Sequence, residues 1–252
     1  MPAAISASAL DGIPEIRPGD DLAQIIASAL AGRALRDEDV LVIAHKIVSK
    51  AEGQIVDLRD VTPDERAREL AAEHGKDPRH IQVVLDQSSE IVRSRKGVLI
   101  CLTHHGFVCA NAGVDASNVP GEETVVTLPV DPDASARRLR AELQTLTGAR
   151  PAVLITDSFG RAWRHGQCDV AIGMAGVRPL EDWRGRHDGN GQELHATWIA
   201  VADELACAAD LARTKDGRQP VVLVTGAGRH VSVEDGPGAA ALLRPRAEDL
   251  FR

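Results

Sequence analysis

Apolar residues recur along this chain in two rhythms. In "DDLAQIIASAL", Leu22, Ile25, Ile26, Ala29 and Leu30 fall three or four residues apart, on one face of a helix. Asp20 or Asp21 ahead of them can accept from the free N–H groups of the first turn. "TPDERARELAAEHG" predicts a second helix, with Thr62 as cap, Pro63 in first position and Gly75 as stop. "DPDASARRLRAELQTLTG" predicts a third, with Leu139, Leu143 and Leu146 aligned and Gly148 at the end. Residues 192–213 read as the longest helix, with Leu194, Trp198, Val201, Leu205 and Ala208 as its stripe. The other rhythm is the short unbroken apolar run: "DVLVIA" at 39–44, "AVLITD" at 152–157 and "PVVLVTG" at 220–226 suit buried strands. Residues 80–87, 97–103 and 123–130 read as further strands. Strands and helices mix without regular βαβ spacing, so the class is α/β, mixed α+β, and a Rossmann topology is not imposed. With no repeat or low-complexity linker, residues 1–252 read as a single domain with room for two subdomains.

Composition narrows the function classes. Lys and Arg number 29 against 37 Asp and Glu, a formal net charge of -8, which argues against broad binding to nucleic acid or an anionic membrane. With three Phe, three Trp and no Tyr, there is no aromatic platform for bases, and Ala, Val and Leu must fill the core. Cys101, Cys109, Cys168 and Cys207 form no CxxC pair, which points away from zinc or a disulfide framework and toward a reducing, cytoplasmic protein. The first residues lack the basic and apolar regions of a signal peptide. No apolar run approaches the roughly 20 residues of a membrane span.

Two short acids stand in small-residue loops: Asp115 in "CANAGVDASNVPG" and Asp157 in "LITDSFGRAWRHG". Carboxylates of this kind suit Mg²⁺ or Mn²⁺ completed by phosphate. Two of them from different loops can hold one ion or share two. An Asx-turn explains each equally well, and Ser158 suits a turn or cap. Lys50 in "HKIVSKAEG" either meets a phosphate or faces solvent, and Ser49 and Gly53 fit a turn there. Arg161, Arg164 and His165 could clamp a phosphate or carboxylate, or belong to a solvated loop. His104 and His105, read as neighbours in a strand, would point to opposite faces. "TGAGRH" lacks the context of a dinucleotide fingerprint, and GxxxxGK[ST] is absent.

In combination these stretches resemble the coenzyme F420-0:gamma-glutamyl ligase family. The resemblance rests on "GIPEIRPGDDLAQII", "IVSKAEG", "HHGFVCANAGVDASNVPG", "LPVDPDASARRLR", "ITDSFGRAWRHGQCDVAIGMAGV" and "VADELACAADL", in family order from residue 12 to about residue 226. It implies an unusual non-Rossmann fold and an intertwined homodimer. It implies a GDP-forming ligase that uses GTP with Mg²⁺ or Mn²⁺, and K⁺ as a further cation, to add L-glutamate to F420-0 through an acyl phosphate. Asp115 and Asp157 would then be metal ligands, and Ser158 stands where the family commonly has a threonine at a second metal. Asn118 would contact the guanine nucleotide. Ile13, Pro14, Glu15 and Ile16 would form a nucleotide-contacting turn, with Ala44, His45 and Lys50 lining the same pocket. Lys50, Asp115, Asp157 and Arg161 would carry the catalysis. The chain departs from the pattern in places: Ile13 replaces the leucine of the nucleotide-contacting turn, Leu102 replaces an acid of many relatives, Lys215 falls where some carry Glu or Gln, and "VTGAG" stands for a late "VRG". Other readings of the same residues are a metal-dependent ligase or phosphotransferase on another carboxylate, and a non-enzymatic nucleotide or F420-precursor binder.

Overall fold

The computed structural model describes residues 4–117, 121 and 123–249. Its elements, in chain order, begin with β1 (Ser6–Ala9), α1 (Leu22–Ala29), β2 (Val40–Ala44), α2 (His45–Ala51), β3 (Ile55–Asp57), α3 (Glu65–His74) and α4 (Pro78–Asp86). Then come β4 (Ser88–Arg95), β5 (Val98–Thr103), β6 (Val108–Ala110), β7 (Thr124–Val126), α5 (Pro132–Thr147), β8 (Ala152–Arg161) and β9 (Arg164–Ala175). The last are β10 (Glu181–Asp182), β11 (Trp198–Ile199), α6 (Val201–Asp210) and β12 (Val221–Thr225). The class is mixed α/β, as the sequence predicts.

Among the described residues the main sheet has the order β1-β12-β2-β8-β9. Its three interior strands are the three unbroken apolar runs. Val40–Ile43, Ala152–Ile155 and Val221–Val224 are all buried, because helices cover a sheet whose central strands have no wet face. β2 and β8 run parallel, with Ala44 opposite Thr156; the other pairings in this sheet are antiparallel. The α5 and α6 helices supply Leu139, Leu143, Val201 and Leu205 to this core. A second cluster lies under α3, α4 and the β4-β5-β6 sheet, built from Leu70, Ile81, Val84, Leu99 and Cys101.

Several expectations are corrected. Residues 80–87 are not a strand: α4 covers Pro78–Asp86, capped by Asp77, whose side chain accepts from Arg79 N–H. Ile81, Val84 and Leu85 have helical spacing, and the cap plus Pro78 in the first turn outweigh the β-branched run. The α3 cap is Asp64, accepting from Ala67 N–H, rather than Thr62, and Pro63 lies before the helix. Residues 192–200 are not helical. They fold back on residues 181–188, with Leu194 N–H donating to Arg186 O and Trp183 N–H to Thr197 O, so α6 starts only at Val201. The longest helix among the described residues is therefore α5, with 16 residues. The strand expected at 123–130 shrinks to Thr124–Val126, since Pro129 has no N–H to give a ladder. His104 and His105 occupy the β5–β6 turn rather than a strand. The segment after β2 is helix α2, not a turn. Among the described residues, no helix is long and apolar enough to cross a membrane.

Candidate active site

The parallel pair β2–β8 assembles the site. Ala44 ends β2 in extended conformation and the chain turns at once into α2, so His45 stands beside the residue that follows Thr156 on β8. That residue is Asp157. His45 is buried; its Nε2 lies 3.4 Å from Asp157 Oδ1 and its Nδ1 lies 3.2 Å from Ser49 Oγ. The Nε2 contact is long and poorly aligned for a hydrogen bond, so this ring nitrogen is a buried polar atom without a hydrogen-bond partner. Asp157 accepts from Ser158 N–H at 2.8 Å, as in a local turn, yet keeps a partly open carboxylate.

Helix α2 projects two lysines at i and i+4. Lys46 reaches Asp115 Oδ2 and Ser117 Oγ, both at 2.7 Å. Lys50, almost fully buried, pairs with Glu15 of the Ile13–Ile16 turn. Within that turn Ile13 and Ile16 are buried, which anchors the backbone while Glu15 stays outside. The Asp115 loop is tied down by two backbone bonds with Val126, at 3.0 and 2.8 Å. Its bend passes through Asn111 and Ala112 with φ near +51° and +52°. Gly113 follows at φ +73°, where a Cβ would lie 2.7 Å from Leu128 Cγ, so the close approach requires glycine. Burial pushes the Asp115 carboxyl up, but the bonds from Lys46 and Ser117 outweigh it and hold the group below its ordinary value. The nearby Cys109 thiol is pushed up to about 12 by burial and by the Asp157 charge, which keeps it a neutral wall.

Behind Asp157 lies a residue the sequence reading missed. Asp169 on β9 is opposite Ser158 in the β8–β9 hairpin and is only 1% exposed. Ser158 Oγ donates to its Oδ1 at 2.7 Å, Thr156 Oγ1 to its Oδ2 at 2.9 Å, and the Arg213 guanidinium pairs with it. A single acid inside the apolar run "CDVAIGMAGV" was the available signal, because a charge in a buried strand must be paired. Lys215 closes the cluster, with Nζ 2.7 Å from Ser158 Oγ and 3.3 Å from Asp210 Oδ1.

The remaining candidates fall elsewhere. Arg161 is four residues past Asp157, about 13 Å along the strand. Its guanidinium is exposed and donates to His165 O at 2.7 Å, so the chain by itself does not bring it to the cluster. Asn118 lies outside the described residues. His104 and His105 are engaged elsewhere in the fold, their Nε2–H groups donating to Asp86 O at 3.0 Å and Pro129 O at 2.9 Å. A groove of about 710 Å³ between α1 and α5, lined by Asp21, Glu52, Arg138 and Glu142 among others, does not include Asp115 or Asp157. No group of three or more His, Cys, Asp or Glu side chains with metal-binding geometry occurs among the described residues.

Residues 12–226 match the family model for F420-0:Gamma-glutamyl ligase. The chain is similar to the Coenzyme F420:L-glutamate ligase of Methanothermobacter thermautotrophicus, 44% identical over 251 residues, covering 98% of this chain and 99% of that protein. The chain belongs to the F420-0:gamma-glutamyl ligase family. Proteins of the same name from Methanopyrus kandleri (44% identical, 94% of each chain) and Methanocaldococcus jannaschii (42%, 90% of each chain) agree with this family assignment. The matched span, residues 12–226, takes in the site side chains placed above, from Ile13 to Lys215.

Proposed function

We propose that this ligase-family member joins L-glutamate to F420-0 through a γ-glutamyl amide, with GTP as the activating co-substrate and GDP and phosphate as by-products. The observation that carries the reading is that helix α2, at the end of the β2–β8 pair, carries three polar contacts of the site: His45 beside Asp157, Lys46 paired with Asp115, and Lys50 paired with Glu15. A carboxylate does not react with an amine unaided. In the proposed sequence a carboxylate oxygen of F420-0 attacks the γ-phosphorus of GTP and GDP leaves. The amine of glutamate then attacks the acyl carbon of the resulting acyl phosphate, the amide bond forms, phosphate departs with the C–O bond electrons, and the nitrogen gives up its proton.

The donor chemistry fits a divalent cation at Asp115 and Asp157. Asp115 is held ionised by an ammonium, and Asp157 keeps carboxylate surface open to a ligand. Mg²⁺ or Mn²⁺ bound there would offset phosphate charge and favour in-line transfer. Lys46 and Lys50 are two cations carried by α2, and their pairing with Asp115 and Glu15 holds each ammonium in place before nucleotide arrives. The turn at Ile13–Ile16 and the Ala44–His45 junction would carry the nucleotide, together with Asn118. The reading includes K⁺ as a further cation, a cytoplasmic setting for the free thiols, and an intertwined homodimer. Sedimentation tests the dimer, and one protomer mass would remove it.

Mass spectrometry of the products from purified protein, F420-0, L-glutamate, GTP and Mn²⁺ tests the reaction. A product heavier by one or more glutamyl units is expected. Nucleotide turnover with no glutamyl product would point to a different carboxylate acceptor.

A further inference from the structure

The cluster behind Asp157 already contains a cation. Lys215 Nζ sits among three oxygens: Ser158 Oγ at 2.7 Å, Asp210 Oδ1 at 3.3 Å and Asp169 Oδ1 at 3.8 Å. Ser158 gives its hydrogen to Asp169, so a hydroxyl lone pair faces the ammonium. Both Asp169 oxygens are committed, Oδ1 to Ser158 and Oδ2 to Thr156 and Arg213, and the carboxylate is buried. Each of its oxygens already accepts a hydrogen bond, and the remaining side of Oδ1 faces the Lys215 ammonium at 3.8 Å. Formal charges agree: Asp169 and Asp210 are matched by Arg213 and Lys215, two against two. Among the described ion pairs, Asp115 has the ammonium of Lys46 and Asp157 has only the His45 ring, so these two carboxylates are matched by one lysine, which leaves negative charge for an added cation.

We propose that Lys215 is a built-in cation of this site, its ammonium occupying the position beside Ser158 Oγ that a second divalent ion would need, so that the chain binds one divalent ion rather than two. The inference rests on the metal–nucleotide reading above. An ammonium so placed donates hydrogen bonds to phosphate or carboxylate oxygens but is no Lewis acid, so Ser158 serves as the acceptor that aims Lys215. A divalent ion at the same oxygen would stand within hydrogen-bond distance of a like charge, and the two exclude each other.

Manganese titration followed by electron paramagnetic resonance, with the full chain and a non-hydrolysable GTP analogue, tests this. Lys215 has a side chain 72% exposed, so Lys215→Gln and Lys215→Glu should fold; matching circular dichroism checks that. One Mn²⁺ per wild-type chain is expected, with a second Mn²⁺ gained in at least one of the two variants and its affinity raised tenfold or more over wild type. Two ions on the wild-type chain, or one on the wild type and both variants, would overturn the role of Lys215 while leaving the ligase reading standing. No bound Mn²⁺ in any of the three would overturn the metal–nucleotide reading itself, and this inference with it.

Discussion

Asp157 and Asp169 are near neighbours across the β8–β9 hairpin and differ in almost everything else. Asp169 is buried, accepts from two hydroxyls and pairs with a guanidinium. Asp157 accepts one local N–H, meets an imperfectly aligned histidine and keeps part of its carboxylate open. The same side chain is thus a fully satisfied support in one place and an incompletely satisfied group in the other. An under-satisfied carboxylate beside a buried, unpartnered imidazole nitrogen marks a candidate ligand site. Asp169, by contrast, holds the strand register that aims Ser158 and keeps Thr156 and Arg213 fixed behind the site.

This contrast can be broken by experiment. The largest loss of stability should follow Asp169→Ala, which strands the nearly buried Arg213; breaking a buried pair in this way costs about 3–5 kcal/mol, readable by urea unfolding. An unchanged midpoint would make Asp169 a bystander. Asp157→Asn should do the reverse. Its unfolding free energy should stay within about 0.5 kcal/mol of the parent, as for substitutions that break no buried network. Its turnover should fall about 100- to 1,000-fold, the usual cost of deleting one preorganised electrostatic group. Equal effects of both substitutions on stability would erase the distinction.

A third acid sharpens the comparison through pH. Asp203 on α6 accepts from Ala171 N–H at 2.9 Å, and burial, only partly opposed by that bond, raises its carboxyl above the ordinary value. Because the folded state holds this proton more tightly, its contribution to stability is full below the unfolded carboxyl value and is lost as pH rises through the raised one. Asp203→Asn should therefore melt higher than the parent at neutral pH, with the gain vanishing in acid; a gain independent of pH would contradict the assignment. The smallest effect is expected for Arg161→Ala, whose exposed guanidinium donates to the hairpin carbonyl of His165. Steady-state rates should drop less than about threefold for the loss of an exposed contact of this kind. A larger loss would mean that a second copy of the chain carries Arg161 into the site.

The sequence displays the main sheet plainly, because most of β2 and β12 and the first half of β8 are buried and need no polar alternation. It also displays the caps at Asp21 and Gly148 and the two loop acids. Other features depend on distant partners and have no local signature. Helix α4 looks like a strand until Asp77 and Pro78 are weighed against its branched residues. Residues 192–200 carry a helical stripe but are claimed by pairing with residues 181–188. The Lys46–Asp115 contact joins residues 69 apart along the chain, through a strand-to-helix junction that periodicity alone does not reveal. Asp169 was visible as one acid in an apolar run, yet its three partners come from β8 and from the segment after α6.

The most direct test of the account measures GDP release by the purified chain with GTP and Mn²⁺, omitting in turn F420-0 and L-glutamate, for the parent and for Asp157→Asn. The account predicts release that requires both substrates in the parent and is lost in the variant while its unfolding midpoint is kept. Release indifferent to either substrate, or undiminished in Asp157→Asn, would contradict it.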